Sequence, residues 1–402
     1  MMVELTTQET ASGQAERVIC DWIGLEVYGE GKRLPSEREL ARRIGVSRTT
    51  IRSVLENLEN DGLIESDDAG RKVVTSRAVT NVRSVMSDTV AVLASSPEGL
   101  SIHSGQTTGW EDYIYQGVMH ELGQNELHAL TMSAKRVVEE GGDYLLGHRP
   151  RGVIALKEFM QSDRGSRTLL RLKEAGVPVT IYGDNGTIPE VDRVTSDHET
   201  GCYELTRWLL GQGCRRILPV WSTQTQRTGE RRWLIERASG YEKALREAGE
   251  APLPELSIPG AASLTEEVEG RRERFEVESR LYAGYLADQL SGEHRVDALM
   301  AASDGDVPTL CRASRLLGKE PQEDVLVVGY DNYWKDLPER KFESTPPAAT
   351  MDKGNLEIGE CLVELLEKRA TGQLPAEPQQ WTVEPELVVM RQSETSGHAS
   401  DR

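Results

Sequence analysis

The sequence predicts an α/β protein in two unequal parts. A small N-terminal winged helix-turn-helix precedes a larger two-lobed domain built on parallel sheets. Two observations predict this. Residues 34–64, LPSERELARRIGVSRTTIRSVLENLENDGLI, read as two short helices across a tight turn. From Thr89 onward, short apolar runs alternate with amphipathic helical stretches, as strands buried in parallel sheets do. At 402 residues the chain exceeds one ordinary core.

Element by element, a first helix is expected from Gln14 to Tyr28, with Val18, Ile19, Trp22, Ile23 and Leu25 at helical spacing. Gly29 and Gly31 break it. Ser36 is placed to cap a second helix whose buried face is Leu40, Ala41 and Ile44. Gly45 ends that helix, and Ser47 caps a third that turns Ile51, Val54, Leu55 and Leu58 inward. Asp61-Gly62 is a turn signal. Residues 63–66 and 72–75 alternate like two strands of a wing joined by residues 67–71. The expected division is a flexible N-terminus (1–12), the helix-turn-helix (13–77), a linker (78–88), the large domain (89–393) and a flexible tail (394–402). In the large domain, residues 90–93, 152–156, 177–182, 216–220, 298–301 and 324–329 read as strands. That is too many units for one small sheet, so two lobes are expected.

Charge sharpens the division. The net charge is −19, which excludes a protein that coats nucleic acid generally. Between Gly31 and Arg52, however, Lys32, Arg33, Arg38, Arg42, Arg43, Arg48 and Arg52 face only Glu37 and Glu39, a net of +5. An acidic body should repel DNA and leave one basic face to dock. The cysteines, Cys20, Cys202, Cys214, Cys311 and Cys361, form no C-x-x-C pair and no zinc-spaced cluster with histidine. No metal or cofactor is expected, and reduced thiols point to the cytoplasm. The N-terminus lacks a basic and apolar export pattern. No run approaches the ~18 apolar residues that would span a membrane. Phosphate loops, dinucleotide fingerprints, zinc-protease motifs and nucleophile elbows are absent from the sequence, which argues against an enzyme.

At this point the motifs resemble two families. Residues 14–76 resemble the winged helix-turn-helix of GntR-family bacterial regulators, on the dense match across residues 34–64. Residues 89–392 resemble the effector domain of LacI/GalR-type regulators, whose fold is periplasmic-binding-protein-like. The segments that carry this second likeness are Val177-Pro178, Val194-Thr-Ser-Asp197, Arg237-Ala-Ser-Gly-Tyr241, residues 296–304, Val328-Gly-Tyr-Asp-Asn332 and residues 385–391. The combination is similar to the arabinose-responsive type of regulator. It implies a homodimeric transcriptional regulator on a palindromic double-stranded operator, a repressor released by a sugar-like effector. The hinge helix of LacI-type proteins is not evident, so their coupling mode does not carry over. Two alternatives stand: a sensor-like domain that only dimerises, and a motif-free α/β enzyme.

For DNA, the third helix is expected in the major groove. Arg48 and Arg52, four residues apart, share one face, and arginine can bind guanine O6 and N7 through two donors. Thr49 and Thr50 suit phosphates or a thymine methyl. The GntR resemblance adds Arg38, and Gly70 at the wing tip, with Arg71 and Lys72 on backbone there. Ser36 and Ser47 are read as caps before phosphate donors. Arg42 and Arg43 are read as a solvated face.

For the ligand, hydroxyl-rich molecules need paired donors and acceptors, because buried polar groups left alone cost about 1–3 kcal/mol each. The LacI-type resemblance nominates Arg237 and Asp304 as principal contacts. Asp197 and Asp184 are further candidates, with hinge orientation as their other role. Trp110, Tyr113, Tyr115 and Trp221 are stacking candidates, with core packing as the plain alternative. Asp331 is read as supporting a strand end.

Overall fold

The computed structural model describes residues 11–24, 27–28, 30–67, 69–75, 86–94, 109–156, 163–183, 188–222, 232–258 and 270–390. The expected N-terminus 1–10, most of the linker, the tail and Asp184 lie outside the described residues.

In the N-terminal module, helices α1 (Ala11–Gly24), α2 (Glu37–Ile44) and α3 (Arg48–Asn60) precede strands β1 (Ile64–Ser66) and β2 (Lys72–Val74). Ser36 Oγ accepts from Glu39 N, and Ser47 Oγ accepts from Thr50 N, so both serines cap. Gly45 closes α2 at φ 82°, a left-handed conformation that costs glycine least. Ile19, Leu40, Ile51, Leu55, Leu58 and Val74 meet in one buried cluster. α1 starts at Ala11, inside the segment expected to be loose, and ends at Gly24. Tyr28 lies in a turn after it, with its N–H donating to Trp22 O at 3.1 Å.

The large domain has two six-stranded sheets. The first lobe has strand order β13-β7-β6-β5-β3-β4. Its strands are β3 (Thr89–Ala94), β4 (His128–Ser133), β5 (Gly152–Ala155), β6 (Val179–Tyr182), β7 (Asp192–Ser196) and β13 (Gln380–Val383). The second lobe has order β14-β12-β11-β10-β8-β9. Its strands are β8 (Ile217–Ser222), β9 (Leu256–Ile258), β10 (Ala298–Ala301), β11 (Leu326–Tyr330), β12 (Ala349–Asp352) and β14 (Glu386–Val389). Every pairing is parallel except that of β12 with β14. Helices cover both faces. They are α4 (Trp110–Gln124), α5 (Ala134–Glu139), α6 (Asp143–His148), α7 (Asp163–Glu174), α8 (His198–Gly211), α9 (Arg232–Glu247), α10 (Arg271–Leu286), α11 (Val307–Leu316) and α12 (Asn355–Ala370).

Among the described residues, the chain crosses between the lobes three times. The crossings run from β7 into α8, from β12 into α12, and from β13 into β14. Asp197 N donates to Val383 O at 3.1 Å, tying the first crossing to the third. Gly354 sits in the second at φ 77°, where an added Cβ would lie 2.4 Å from Val383 Cγ1.

In each lobe, the helix that follows a crossing packs closely on a neighbour. An added Cβ at Gly359 of α12 would lie 2.1 Å from Ile114 O of α4, and one at Gly240 of α9 would lie 2.1 Å from Glu199 O of α8. Backbone cannot yield cheaply at such distances. Gly359→Ala is therefore expected to destabilise the chain by about 1–3 kcal/mol through overpacking. At Gly211, nothing lies within 4 Å of an added Cβ. Gly211→Ala is expected to be neutral or to stabilise by about 0.4–1 kcal/mol through the unfolded state. Thermal unfolding of the two variants checks both signs.

Candidate DNA-reading face and interlobe site

The exposed face of α3 follows from its buried stripe. Ile51, Val54, Leu55 and Leu58 point inward, which leaves Arg48, Thr49 and Arg52 exposed and Thr50 half-buried. Thr50 is engaged locally, with its hydroxyl 2.8 Å from Ser47 Oγ. Glu37 of α2 reaches across to both arginines: its carboxylate accepts from Arg52 Nε at 3.2 Å and Nη2 at 3.0 Å, and lies 3.6 Å from Arg48 Nη2. The Arg52 hydrogen bonds are the main reason the Glu37 pKa falls below its ordinary value. Arg38 is exposed, one residue beyond Glu37. Arg42 and Arg43 both pair with Glu39, as a solvated face would.

At the wing, Gly70 takes φ 71° and Asp67 organises the tip. Asp67 accepts from the N–H groups of Ala69 and Arg71 at 2.9 Å, from Arg71 Nε at 3.0 Å and from Arg33 Nε at 3.2 Å. Lys72 departs from expectation. Its ammonium is tied to Glu59 and to Ser66 Oγ, which fastens the wing to α3 and turns it from the tip.

Between the lobes, carboxyl ends of parallel strands face one another, the usual place for ligands in open α/β sheets. Tyr330 ends β11, and Asp331 follows at φ 88° with Asn332 at φ 52°. Two successive non-glycine residues in that region mark a constrained turn. Asp331 is 3% exposed, Arg237 4%, Lys353 3% and His198 2%, so four ionisable groups share a nearly dry site. Asp331 Oδ1 lies 3.2 Å from Lys353 Nζ and 3.6 Å from Arg237 Nη2. Burial alone would raise the Asp331 carboxyl; Lys353 and then Arg237 outweigh it, and the pKa is lowered. Oδ1 is itself buried, and faces both cations without an aligned hydrogen bond among the described residues.

Aromatic rings enclose the cations. The Arg237 guanidinium lies 3.5 Å from the Tyr330 ring centre and 4.6 Å from that of Trp233, and its Nη1 donates to Ala302 O at 2.6 Å. Lys353 Nζ lies 3.7 Å from the Trp110 ring centre. Trp110 packs against Tyr182 at 5.5 Å and touches core residues of both lobes. Tyr113, one turn along α4, donates to Asp336 of the opposite lobe. Trp110, Tyr113 and Arg237 therefore stand where the lobes meet.

The other described candidates are engaged in internal contacts. Asp304, nominated as a principal ligand contact, is fully buried. Its Oδ2 accepts from Tyr333 N at 2.9 Å and Trp334 N at 3.0 Å, and its Oδ1 accepts from Thr350 Oγ1 at 2.7 Å. It holds the loop after β11 in place and is corrected to a positioning role. Asp197 caps α8, accepting from Thr200 N at 2.9 Å and Thr200 Oγ1 at 2.8 Å. Tyr115 turns to the first-lobe core, its hydroxyl 2.9 Å from Thr131 Oγ1. Trp221 is buried at the end of β8. Sequence reading missed Lys353 and His198, and it understated Asp331. Histidine and lysine next to chain crossings were the only available signal.

Comparisons with known proteins find two family matches along the chain. Residues 11–74 match the family described as bacterial regulatory proteins, gntR family. Residues 206–393 match the periplasmic binding protein-like domain. The HTH-type transcriptional regulator CelR of Thermobifida fusca is 27% identical over 369 residues, covering 90% of this chain and 98% of that protein. The arabinose metabolism transcriptional repressor of Geobacillus stearothermophilus is 22% identical over 376 residues, covering 90% and 92%. The solved transcriptional regulator CelR–cellobiose complex has the same fold at TM-score 0.57 and 23% identity, covering 89% and 99%.

Asp304 generates a pH prediction. Burial pushes its pKa up to about 7 from 3.8. The folded chain therefore keeps a proton that the unfolded chain releases. The resulting stability is present in full below pH 3.8 and is lost as pH rises through about 7. Asp304→Asn keeps two acceptor contacts and cannot titrate. Urea midpoints measured across that window should fall more steeply for the native chain than for the variant.

Proposed function

We propose that this chain, a GntR-type helix-turn-helix joined to a periplasmic-binding-protein-like domain, is a transcriptional regulator whose hold on DNA is set by a sugar bound between the lobes. The observation that carries this reading is the Arg237–Asp331–Lys353 cluster, walled by Trp110, Tyr182, Tyr330 and Trp233, at the facing strand ends. Oxygen-rich ligands suit it. Asp331 accepts from hydroxyls, Arg237 and Lys353 donate to oxygens, and the rings cover apolar sugar faces. Similarity to regulators that runs unbroken over both modules supports the same pairing.

The ligand acts by its different affinity for open and closed lobes. In the reading we favour, the chain is a homodimer on a palindromic operator and represses until the sugar binds. Lobe closure then changes how two copies of α3 span successive major grooves, whose spacing is fixed. On each copy Arg48 and Arg52 reach base edges, Thr49, Thr50, Ser47 and Arg38 lie near phosphates, and Gly70 and Arg71 meet the minor groove.

Fluorescence anisotropy of a duplex from the chain's own upstream region, with and without cellobiose or L-arabinose, tests the whole reading. An effective sugar should weaken binding about tenfold or more, equivalent to about 1.4 kcal/mol. Absence of duplex binding under every condition would sink it. Arg48→Ala should weaken the cognate complex by about 1–3 kcal/mol, as loss of a bidentate base contact does; unchanged affinity would remove Arg48 from the interface. Asp331→Asn should abolish the sugar response, read as equal duplex affinity with and without sugar.

A further inference from the structure

We propose that α12 is a strut that carries a change at the interlobe site to the connector of the N-terminal module. The proposal rests on reading that site as the ligand site, and names how its state is passed on. The helix spans 16 residues, about 24 Å at 1.5 Å per residue.

One end is built into the site. Lys353, which pairs with Asp331, lies two residues before the helix. Asn355, its first residue, donates from Nδ2 to Asp331 O at 2.8 Å. The other end holds the connector. Glu367 forms a two-pronged ion pair with Arg151, Nε to Oε1 at 2.5 Å and Nη2 to Oε2 at 2.6 Å. Arg151 in turn grips the last described residues of the connector. Its N–H donates to Met86 O and Thr89 O at 2.9 Å, and its Nη1 donates to Ser87 O at 3.4 Å.

Two close approaches hold the helix along its length. Gly117 and Gly359 let α4 and α12 approach until backbone meets backbone, and an added Cβ at Gly152, beside Arg151, would lie 2.7 Å from Leu366 Cδ1. Close-packed interiors transmit strain where looser ones relax it. A groove lined by Ser87, Arg151, Val177, Pro178 and Ala370 lies at the connector end. The helix thus links two sites through contiguous packing and charge, the kind of network along which coupling is carried.

Amide hydrogen exchange of the full chain, read over residues 86–94, tests this without any ligand. Lys353→Gln, with Asp331→Asn as a second perturbation, should alter exchange there about threefold or more, near the low end of what such networks carry. With Glu367→Gln in the same chain, the response should vanish. If Asp331→Asn fails to fold by circular dichroism, Lys353→Gln decides alone. A response that persists in the Glu367→Gln background, or no response to a folded cleft variant, overturns the strut. A chain that ignores both sugars in the anisotropy titration removes the ligand reading and leaves this exchange cycle equally decisive.

Discussion

The carboxylate of Asp331 is the point on which the large domain turns. Asp331 follows β11 in the second lobe, draws in Lys353 from a crossing between lobes and Arg237 from α9, and its backbone carbonyl anchors the start of α12. Burying charges costs several kcal/mol per ion unless they are paired in good geometry. Any one of these three groups left alone in so dry a site would be strongly unfavourable. Each therefore requires the others, and a change at one is felt by elements of both lobes.

The lobes tolerate such changes because stiffness and freedom are kept apart. Within a lobe, parallel strands are buried on both faces, and helix pairs meet at glycines where no side chain intervenes. Among the described residues there are three short crossings between lobes, latched by Asp197 to Val383, with Gly354 in a conformation that side chains resist. Side chains join the lobes as well: Tyr113 meets Asp336, and Trp110 packs against both cores.

Much of the reader was legible in the sequence, because its signals are local. Ser36, Gly45 and Ser47 set the ends of two helices through bonds within three or four residues, and the inward stripe of α3 fixes its outward face. The cleft was legible only as a region. The residue series around Asp304 and Asp331 marks two strand ends, but which aspartate is buried under a loop and which faces the cations depends on φ at 331 and on a lysine far along the chain. Tyr115 was separable in principle. Two residues beyond Tyr113 is about 200° around a helix, so both cannot face one cleft. β7 escaped for a different reason. Its sequence, Asp192-Arg-Val-Thr-Ser196, looks exposed yet is buried throughout, because Arg369 satisfies Asp192 and Ile188 O accepts from Arg193.

The reader's own carboxylates decide how its positive charge is used. Glu37 holds Arg48 and Arg52, Glu39 holds Arg42 and Arg43, and Asp67 holds Arg33 and Arg71. Exposed pairs of this kind contribute little to stability, so exchanging a carboxylate for a phosphate or a guanine edge costs the fold almost nothing. The pairs do orient the guanidinium groups in advance, which lowers the side-chain ordering that binding requires. With a net charge of −19 over the whole chain, attraction to DNA is concentrated on this face and opposed elsewhere. The orientation of the guanidinium groups is thus set before contact.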